Sequence, residues 1–416
     1  MADPLLVRFS DAPVQIIDGD RGSNYPKKSD FSKHGYCVFL NTRNVTENGF
    51  DFGEVDFISE VKDRALRKGK ASRRDIVLTT RGTIGNVGFY GTVVPHPNVR
   101  INSGMVLLRA EESELNSYYL YSFLRSELFK RQISTNGSGS AQPQLPIMAL
   151  KNIVIPIPEI GQQLKIATVL SALDAKIDLN NRINAELEAL AKTIYDYWFV
   201  QFEFPDAHGR PYKSSGGAMV WNDVLKREIP AGWKARNLSD IANITMGQSP
   251  AGDSYNEDGH GTVFFQGSTD FGTRSPDVRM YTTSPARMAK KGDILVSVRA
   301  PVGTMNIAER DCCIGRGLAA LNSKGGFDGY LHRVMADFKQ VFDRRSSEGT
   351  TFGSINKDDL FGLNVLIPEE HVLQSHARMA NDWIRLAALR DTEIRELTRL
   401  RDWLLPLLMN GQVRVD

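Results

Sequence analysis

The residues best placed to do chemistry are cations and amides rather than acids, thiols or imidazoles. Residues 62–74, KDRALRKGKASRR, carry seven Lys or Arg against one Asp. A basic run of this kind offers electrostatic binding, because each phosphate it neutralises releases a counterion. Read as a flexible segment, it would track a nucleic-acid backbone through Lys68, Lys70 and Arg73; read as a solvated loop, it does nothing specific. Arg81 and Arg299 each follow a strand-like run and precede a glycine by four positions. A guanidinium on such a turn can grip a guanine edge bidentately, or it can hold a carbonyl of its own chain. Two polar loops, TNGSGSAQPQL at 135–145 and EGTTFGSINK at 348–357, add Gln142, Gln144, Ser354, Asn356 and Lys357. Loops 27–44 and 248–274 add Lys27, Lys28, Thr42 and Arg43, and Gln248, Ser249, Gln266 and Arg274. These side-chain types suit hydrogen bonds to phosphates and base edges, and they also suit ordinary loops.

Catalytic signatures are missing. The sequence has no GxxxxGK[ST] phosphate loop, no strand-borne GxGxxG, no GxSxG and no HExxH. It also lacks the Asn/Asp-Pro-Pro-aromatic tetrad with which amino-methyltransferases hold a flipped base. The seven histidines are scattered, without metal-ligand spacing to one another or to a cysteine. A net charge of +2 imposes no acidic partner on the whole chain, so nucleic-acid binding has to come from local patches. Cys37, Cys312 and Cys313 form no CxxC pair and no disulfide framework, which points to a reducing, cytoplasmic compartment. The opening MADPLLVRFSDAP has no basic stretch followed by an apolar core, so no signal peptide is expected, and no apolar run approaches a membrane span.

What positions these residues is a duplication. Residues 75–88, DIVLTTRGTIGNVG, align without gaps to 293–306, DILVSVRAPVGTMN, each reading as a strand, an Arg and a hairpin turn. Phe9-Ser10-Asp11 answers Leu238-Ser239-Asp240, and Val38-Phe39-Leu40-Asn41 answers Val263-Phe264-Phe265-Gln266. Further on, IPIPEIGQQ at 155–163 matches LIPEEHVLQ at 366–374. The offset shrinks along the chain, from 218 residues at the hairpin to 210 at this last pair, as expected if the second copy has shorter loops. Within each copy the signals are short strands with a helix near the end, over 115–132 and 328–345, a mixed α+β composition.

Each copy ends in a long helix. Residues 162–199 contain no Gly or Pro, and the apolar positions step by fours and threes through Ile166, Leu170, Leu173 and Ile177, then Leu187, Ala191, Ile194 and Trp198. Asn180 and Asn184 fill the heptad positions between them, where a buried Asn fixes register and pairing. A seam of period 3.5 needs a partner helix. The 210-residue offset supplies one, with seam positions His376, Ala380, Trp383, Ala387, Arg390, Ile394, Leu397, Arg401, Leu404 and Leu408. Leu386, Leu389 and Leu400 stand ready to adjust the register. Both helices start just after Ile-Pro-Glu, and the second is expected to stop at Asn410-Gly411. At 1.5 Å per residue the first would be roughly 55–60 Å long. Tyr195, Tyr197, Trp198 and Phe199 read as core packing. The Pro-, Gly- and Ser-containing stretch 201–233 reads as a connecting segment.

Two globular units, each followed by a matching long helix, resemble the specificity (S) subunits of type I DNA restriction–modification systems. The stretches that carry the resemblance are DGDRGSNYPKKSDFSKHGYCVFLNTRNVT at 18–46, ITMGQSPAGDSYNEDGHGTVFFQGSTDFG at 244–272, YDYWFVQFEFP and REIPAGW at 227–233. The resemblance implies an α+β fold with two duplicated target-recognition domains separated by two long helices. Those helices would pack as an antiparallel coiled coil with pseudo-two-fold symmetry. The implied boundaries are domain 1 at 1–158, a spacer helix at 159–200, a linker at 201–230, domain 2 at 231–368 and a C-terminal spacer helix at 369–416. It further implies a chain without catalysis of its own. Each domain would read one half of a bipartite, asymmetric double-stranded DNA target, and the helices would set the gap. Two modification (M) subunits carrying S-adenosylmethionine, and restriction (R) subunits using ATP and Mg2+, would join it. The chain starts almost inside its first recognition domain, so the cyclic pattern would close through the C-terminal helix. Two other readings stay open on the residues alone: a stand-alone nuclease or methyltransferase with a loosely spaced site, and a coiled-coil scaffold.

Overall fold

Strand Ile76–Thr79 is buried along its whole length and explains the layering of the first half. Its side chains alternate between two cores: Ile76 and Leu78 face one, and Val77 faces the other. Such alternation follows from the period of two along a strand and requires a layer on each face of the sheet. In this computed structural model, which describes residues 5–135, 144–272, 274–347 and 353–415, the strand lies inside a four-stranded antiparallel sheet. The other strands are Val14–Asp18, Met105–Ala110 and Val87–Phe89. One face packs on helices Ser117–Arg125 and Glu127–Thr135. The other packs on a three-stranded sheet in which Cys37–Leu40 runs parallel to Val99–Ile101 and antiparallel to Asp56–Ile58. Strand Leu5–Arg8 pairs antiparallel with Val154–Ile157, just before the first long helix.

The second copy repeats the four-stranded sheet and the parallel pair, with a second sheet of five strands in place of three. Ala242–Met246, Leu318–Ser323, Ile294–Ser297 and Met305–Ile307 form the four-stranded sheet. Thr262–Phe265 runs parallel to Cys312–Ile314, as Cys37–Leu40 does to its partner. Lys234–Asn237 pairs with Asn364–Ile367 before the second long helix. The correspondence extends to single hydrogen bonds. Thr79 Oγ1 donates to the Thr83 carbonyl inside the hairpin turn, and Ser297 Oγ does the same to Pro301. Gly85 (φ +92°) and Gly303 (φ +81°) close the two turns in the left-handed region that favours glycine. Tyr119 Oη donates to Pro156 O at 2.7 Å, and Tyr330 Oη to Leu366 O at 2.6 Å.

The long helices are Ile160–Tyr195 and Glu370–Met409, 36 and 40 residues. The chain divides into two units, 1–181 with 391–416, and 182–390, so each unit owns the early half of one helix and the late half of the other. Inside the first unit Ile166 and Leu170 share a core with Leu405 and Leu408. Asp174 meets Arg401 at 2.9 Å, and Asn180 Nδ2 donates to Glu393 Oε2 at 3.0 Å. Residue numbers rise on one helix as they fall on the other, so the pairing is antiparallel. Inside the second unit Trp198 and Phe199 pack against His376 in tilted and edge-on contacts. The ten seam positions predicted on the second helix are all buried or half-buried, and so are those named on the first.

Four expectations need correction. Leu386, Leu389 and Leu400 do not adjust the register; they are exposed, and Arg390 and Arg401 keep the seam positions. Arg401 can do so because Asp174, which also accepts from Tyr118 Oη and Arg125, is there to receive it. The helix expected over 115–132 breaks at Ser126, whose hydroxyl bonds back to Phe123 O at 2.6 Å. The stretch 201–230 is more than a connector: it forms the hairpin Met219–Asn222/Arg227–Pro230 and buries Phe202, Phe204 and Ile229 in the second unit's core. Finally, 62–74 is not a flexible segment. Ser59 caps a helix over Glu60–Ala65, and the residues that follow are held by backbone hydrogen bonds to neighbouring strands.

Candidate nucleic-acid interface

In the first unit, backbone hydrogen bonds gather turns from distant parts of the sequence at one end of the sheets. The Asn102 amide donates to Leu40 O at 3.0 Å, which ties the 102–104 turn to the loop bearing Thr42 and Arg43. Thr80 N and Arg81 N both donate to Gly104 O, at 2.9 and 3.2 Å, bringing in the hairpin turn. Leu145 N donates to Thr80 O, and Arg81 forms a bridge with Gln144, which sets these two residues at the same place. Ile101 N donates to Gly69 O, adding the Arg67–Lys68 corner. Gly19 completes the set: a Cβ there would lie 2.2 Å from Asn102 O, so only glycine lets the two turns approach. Five exposed cations result: Arg21, Arg43, Arg67, Lys68 and Arg81. Arg21 is paired with Asp18, and Arg43 lies 3.7 Å from Asp56. Arg67, Lys68 and Arg81 make no side-chain hydrogen bond or ion pair to a described residue.

The second unit gathers the corresponding turns by the corresponding bonds. Gly315 N donates to Phe265 O, Val298 N to Gly317 O, Ile355 N to Val298 O and Ile314 N to Arg287 O. Arg299 bridges to Ser354, and a Cβ on Gly247 would lie 2.2 Å from Gly315 O. Gln248, Ser249, Gln266, Arg299 and Ser354 therefore share one face, together with Arg287 and Arg316. The Arg316 amide donates to Ser249 Oγ at 3.4 Å.

Polar turns brought together this way present guanidinium, carboxamide and hydroxyl groups on one face, groups chemically able to hydrogen-bond an extended polar partner. Among the described residues no group of three or more His, Cys, Asp or Glu is arranged to hold a metal ion. Cys37 and Cys312 are buried, and burial pushes each thiol up to about 12. No described helix is long and apolar enough to cross a membrane.

The family model described as "Type I restriction modification DNA specificity domain" matches residues 15–189 and again 230–399. The chain belongs to that family. It is 26% identical over 388 residues to the type I restriction enzyme MjaIX specificity subunit of Methanocaldococcus jannaschii, covering 90% of this chain and 82% of that one. It is 22% identical to the HindI specificity subunit of Haemophilus influenzae, covering 95% and 98%. Its fold is similar to that of the S subunit of a type I restriction–modification system from M. genitalium, with a TM-score of 0.57 at 15% identity over 97% and 96% of the two chains.

Some residues singled out from the sequence serve the chain's own framework. Arg73 stacks over Tyr90 at 4.3 Å and donates to the carbonyls of Gly91, Val94 and His96. Lys70 lies 2.6 Å from Asp63, which also takes Arg100 at 2.7 Å. Burial pushes the Asp63 carboxyl up, but these two cations outweigh it and hold it below the usual range. Asn356 caps helix Lys357–Phe361 through the Asp359 amide, and Lys357 lies over the Phe361 ring. Arg274 pairs with Glu188 of the first long helix at 3.3 Å. Lys27 and Lys28 are exposed on a turn tied through Asp30 to Lys62 rather than to the Arg81 turn. Gln142 lies outside the described residues.

Sequence reasoning missed Arg21, Arg67, Arg287 and Arg316. The signal for Arg316 was present, because the repeat continues through INSGMVLL at 101–108 and IGRGLAAL at 314–321. Following it would have placed Arg316 beside Gln266.

Proposed function

We propose that each unit reads one half of a bipartite, asymmetric double-stranded DNA sequence, and that the chain itself performs no catalysis. The observation that carries this reading is the gathering of equivalent turns in both copies by equivalent backbone hydrogen bonds, although the side chains they present differ. A fixed frame with variable side chains suits two readers of different sequences. Backbone contacts to phosphate would set the register, and contacts to base edges would set the specificity. The long helices, about 54 and 60 Å by residue count, would set the number of unread base pairs and dock two modification (M) subunits. S-adenosylmethionine would belong to those subunits. ATP and Mg2+ would belong to restriction (R) subunits, and the assembly would act in the cytoplasm.

The test is binding by the chain combined with a modification subunit. The reading expects salt-sensitive, sequence-selective binding to a duplex carrying both half-sites, lost when either half is scrambled. Methylation or cleavage of DNA by the purified chain alone would overturn it.

A further inference from the structure

The two reading faces share a frame but differ in one coordinated set of positions. In the first unit Asp20, only 6% exposed, follows Gly19. Its carboxylate accepts from the amides of Gly22 at 2.7 Å, Arg67 at 2.6 Å and Lys68 at 3.2 Å. Burial alone would push this carboxyl up, but the three amides together with Arg100 hold it below its ordinary value, so it stays an anion. The acid thereby fixes the backbone of the Arg67–Lys68 corner while both side chains remain exposed and make no described ion pair.

Strand register identifies the counterparts in the second unit. Asp18 faces Val106, and Met246 faces Ala319, so Gly19 corresponds to Gly247 and Asp20 to Gln248. Ile101 N takes Gly69 O, and Ile314 N takes Arg287 O, so Arg67 and Lys68 correspond to Pro285 and Ala286. All three members of the device have changed together. The carboxylate has become an amide, the first held N–H has become a proline with none to offer, and both cations are gone. Only Arg287, at the position of Gly69, carries charge on that corner.

We propose that the Arg67–Lys68 corner is a phosphate clamp specific to the first unit, and that Asp20 is its positioning residue. The first unit would then hold phosphate at this corner through two cations where the second has Arg287 alone, while the other cations of the second face, Arg299 and Arg316, stand on different turns. This rests on the DNA-reading function proposed above. An acid beside a phosphate-binding corner would ordinarily repel DNA. Here the Asp20 charge is buried and spent on three amides, whereas the two cations it orients are not.

The experiment measures equilibrium binding of the chain with its modification subunit to a duplex bearing the bipartite site mapped from methylated adenines. Salt is varied from low to physiological. Removing two phosphate contacts with Arg67→Gln/Lys68→Gln should lower the slope of log K against log[salt] by about 1.8. The expected change for Arg287→Gln is at most about half of that. Asp20→Asn should lower the slope in the wild-type background and add no further loss to the Arg67→Gln/Lys68→Gln chain. A merely structural role for Asp20 would weaken folding without changing the slope. If Arg67→Gln/Lys68→Gln binds the site selectively with an unchanged slope, the clamp is wrong and the DNA-reading function stands. If the wild-type assembly binds no duplex selectively, the reading on which the clamp depends is itself wrong.

Discussion

Asp174 sits where the second helix returns to the first unit, and replacing it with alanine should loosen that return. Its carboxylate accepts from Tyr118 Oη at 2.7 Å, Arg125 Nη1 at 2.7 Å and Arg401 Nη1 at 2.9 Å. The side chains of Asp174, Arg125 and Arg401 are only 20%, 16% and 17% exposed. Burial pushes the carboxyl up, but Arg125 and the other donors hold it below its ordinary value. Removing the acid leaves the largely buried Arg125 guanidinium without a counter-charge and Arg401 with Asp402 alone, at 2.8 Å, and breaking a buried pair in this way costs about 3–5 kcal/mol. Partial exposure places the expected loss near the low end, about 3 kcal/mol, or roughly 100-fold in a local opening constant. Arg401→Met should cost less, about 1.5 kcal/mol, because Asp174 keeps Arg125 and Tyr118. The assay is native-state hydrogen exchange read on peptides, since a two-unit chain has no single unfolding free energy. Protection should fall in peptides from 391–409 and stay unchanged over 294–321 in the second unit. A loss below tenfold for Asp174→Ala, or an equal loss for Arg401→Met, would refute this view of the seam.

Two further outcomes follow from the geometry. His376 is 2% exposed against Trp198 and Phe199, and burial pushes it down to about 4 from an ordinary 6.5. The folded chain therefore keeps it neutral while the unfolded chain protonates it. The stability it contributes is intact above the ordinary value and is lost as pH falls towards the folded one. Between pH 7.5 and 5 the second unit should lose about 2 kcal/mol, and His376→Phe should flatten that dependence; parallel pH profiles of hydrogen exchange would contradict this. Arg81→Gln and Arg299→Gln should each weaken selectivity for a different half-site, by about 1–3 kcal/mol if the guanidinium contacts a base, measured by competition between duplexes altered in one half. An equal effect of either change on both halves would count against separate readers.

The architecture was legible because duplication and heptad spacing are long-range patterns that many residues support. The 75–88/293–306 match placed both hairpins, and the 210-residue offset placed a seam whose positions are all covered. The individual cations were less legible. Charge density pointed to 62–74, but Asp63, Asp30, Glu60 and Glu112 pair with Lys70, Lys62, Arg64 and Arg74. Only tertiary partners could reveal which cations are already engaged. Asn356 shows the same limit, since its amide reads equally as a base-edge donor and as a helix cap. Arg67 was hidden inside the run that pointed to its neighbours, and the acid that holds it lies 47 residues away.

The central claim is that the two units read separate halves of one DNA target. Its most direct measurement is the genome-wide pattern of methylated adenines in a host whose chain has residues 1–158 replaced by those of a relative. The account predicts that one half of the bipartite sequence changes while the other half stays as it was. A change in both halves, or in neither, would contradict it.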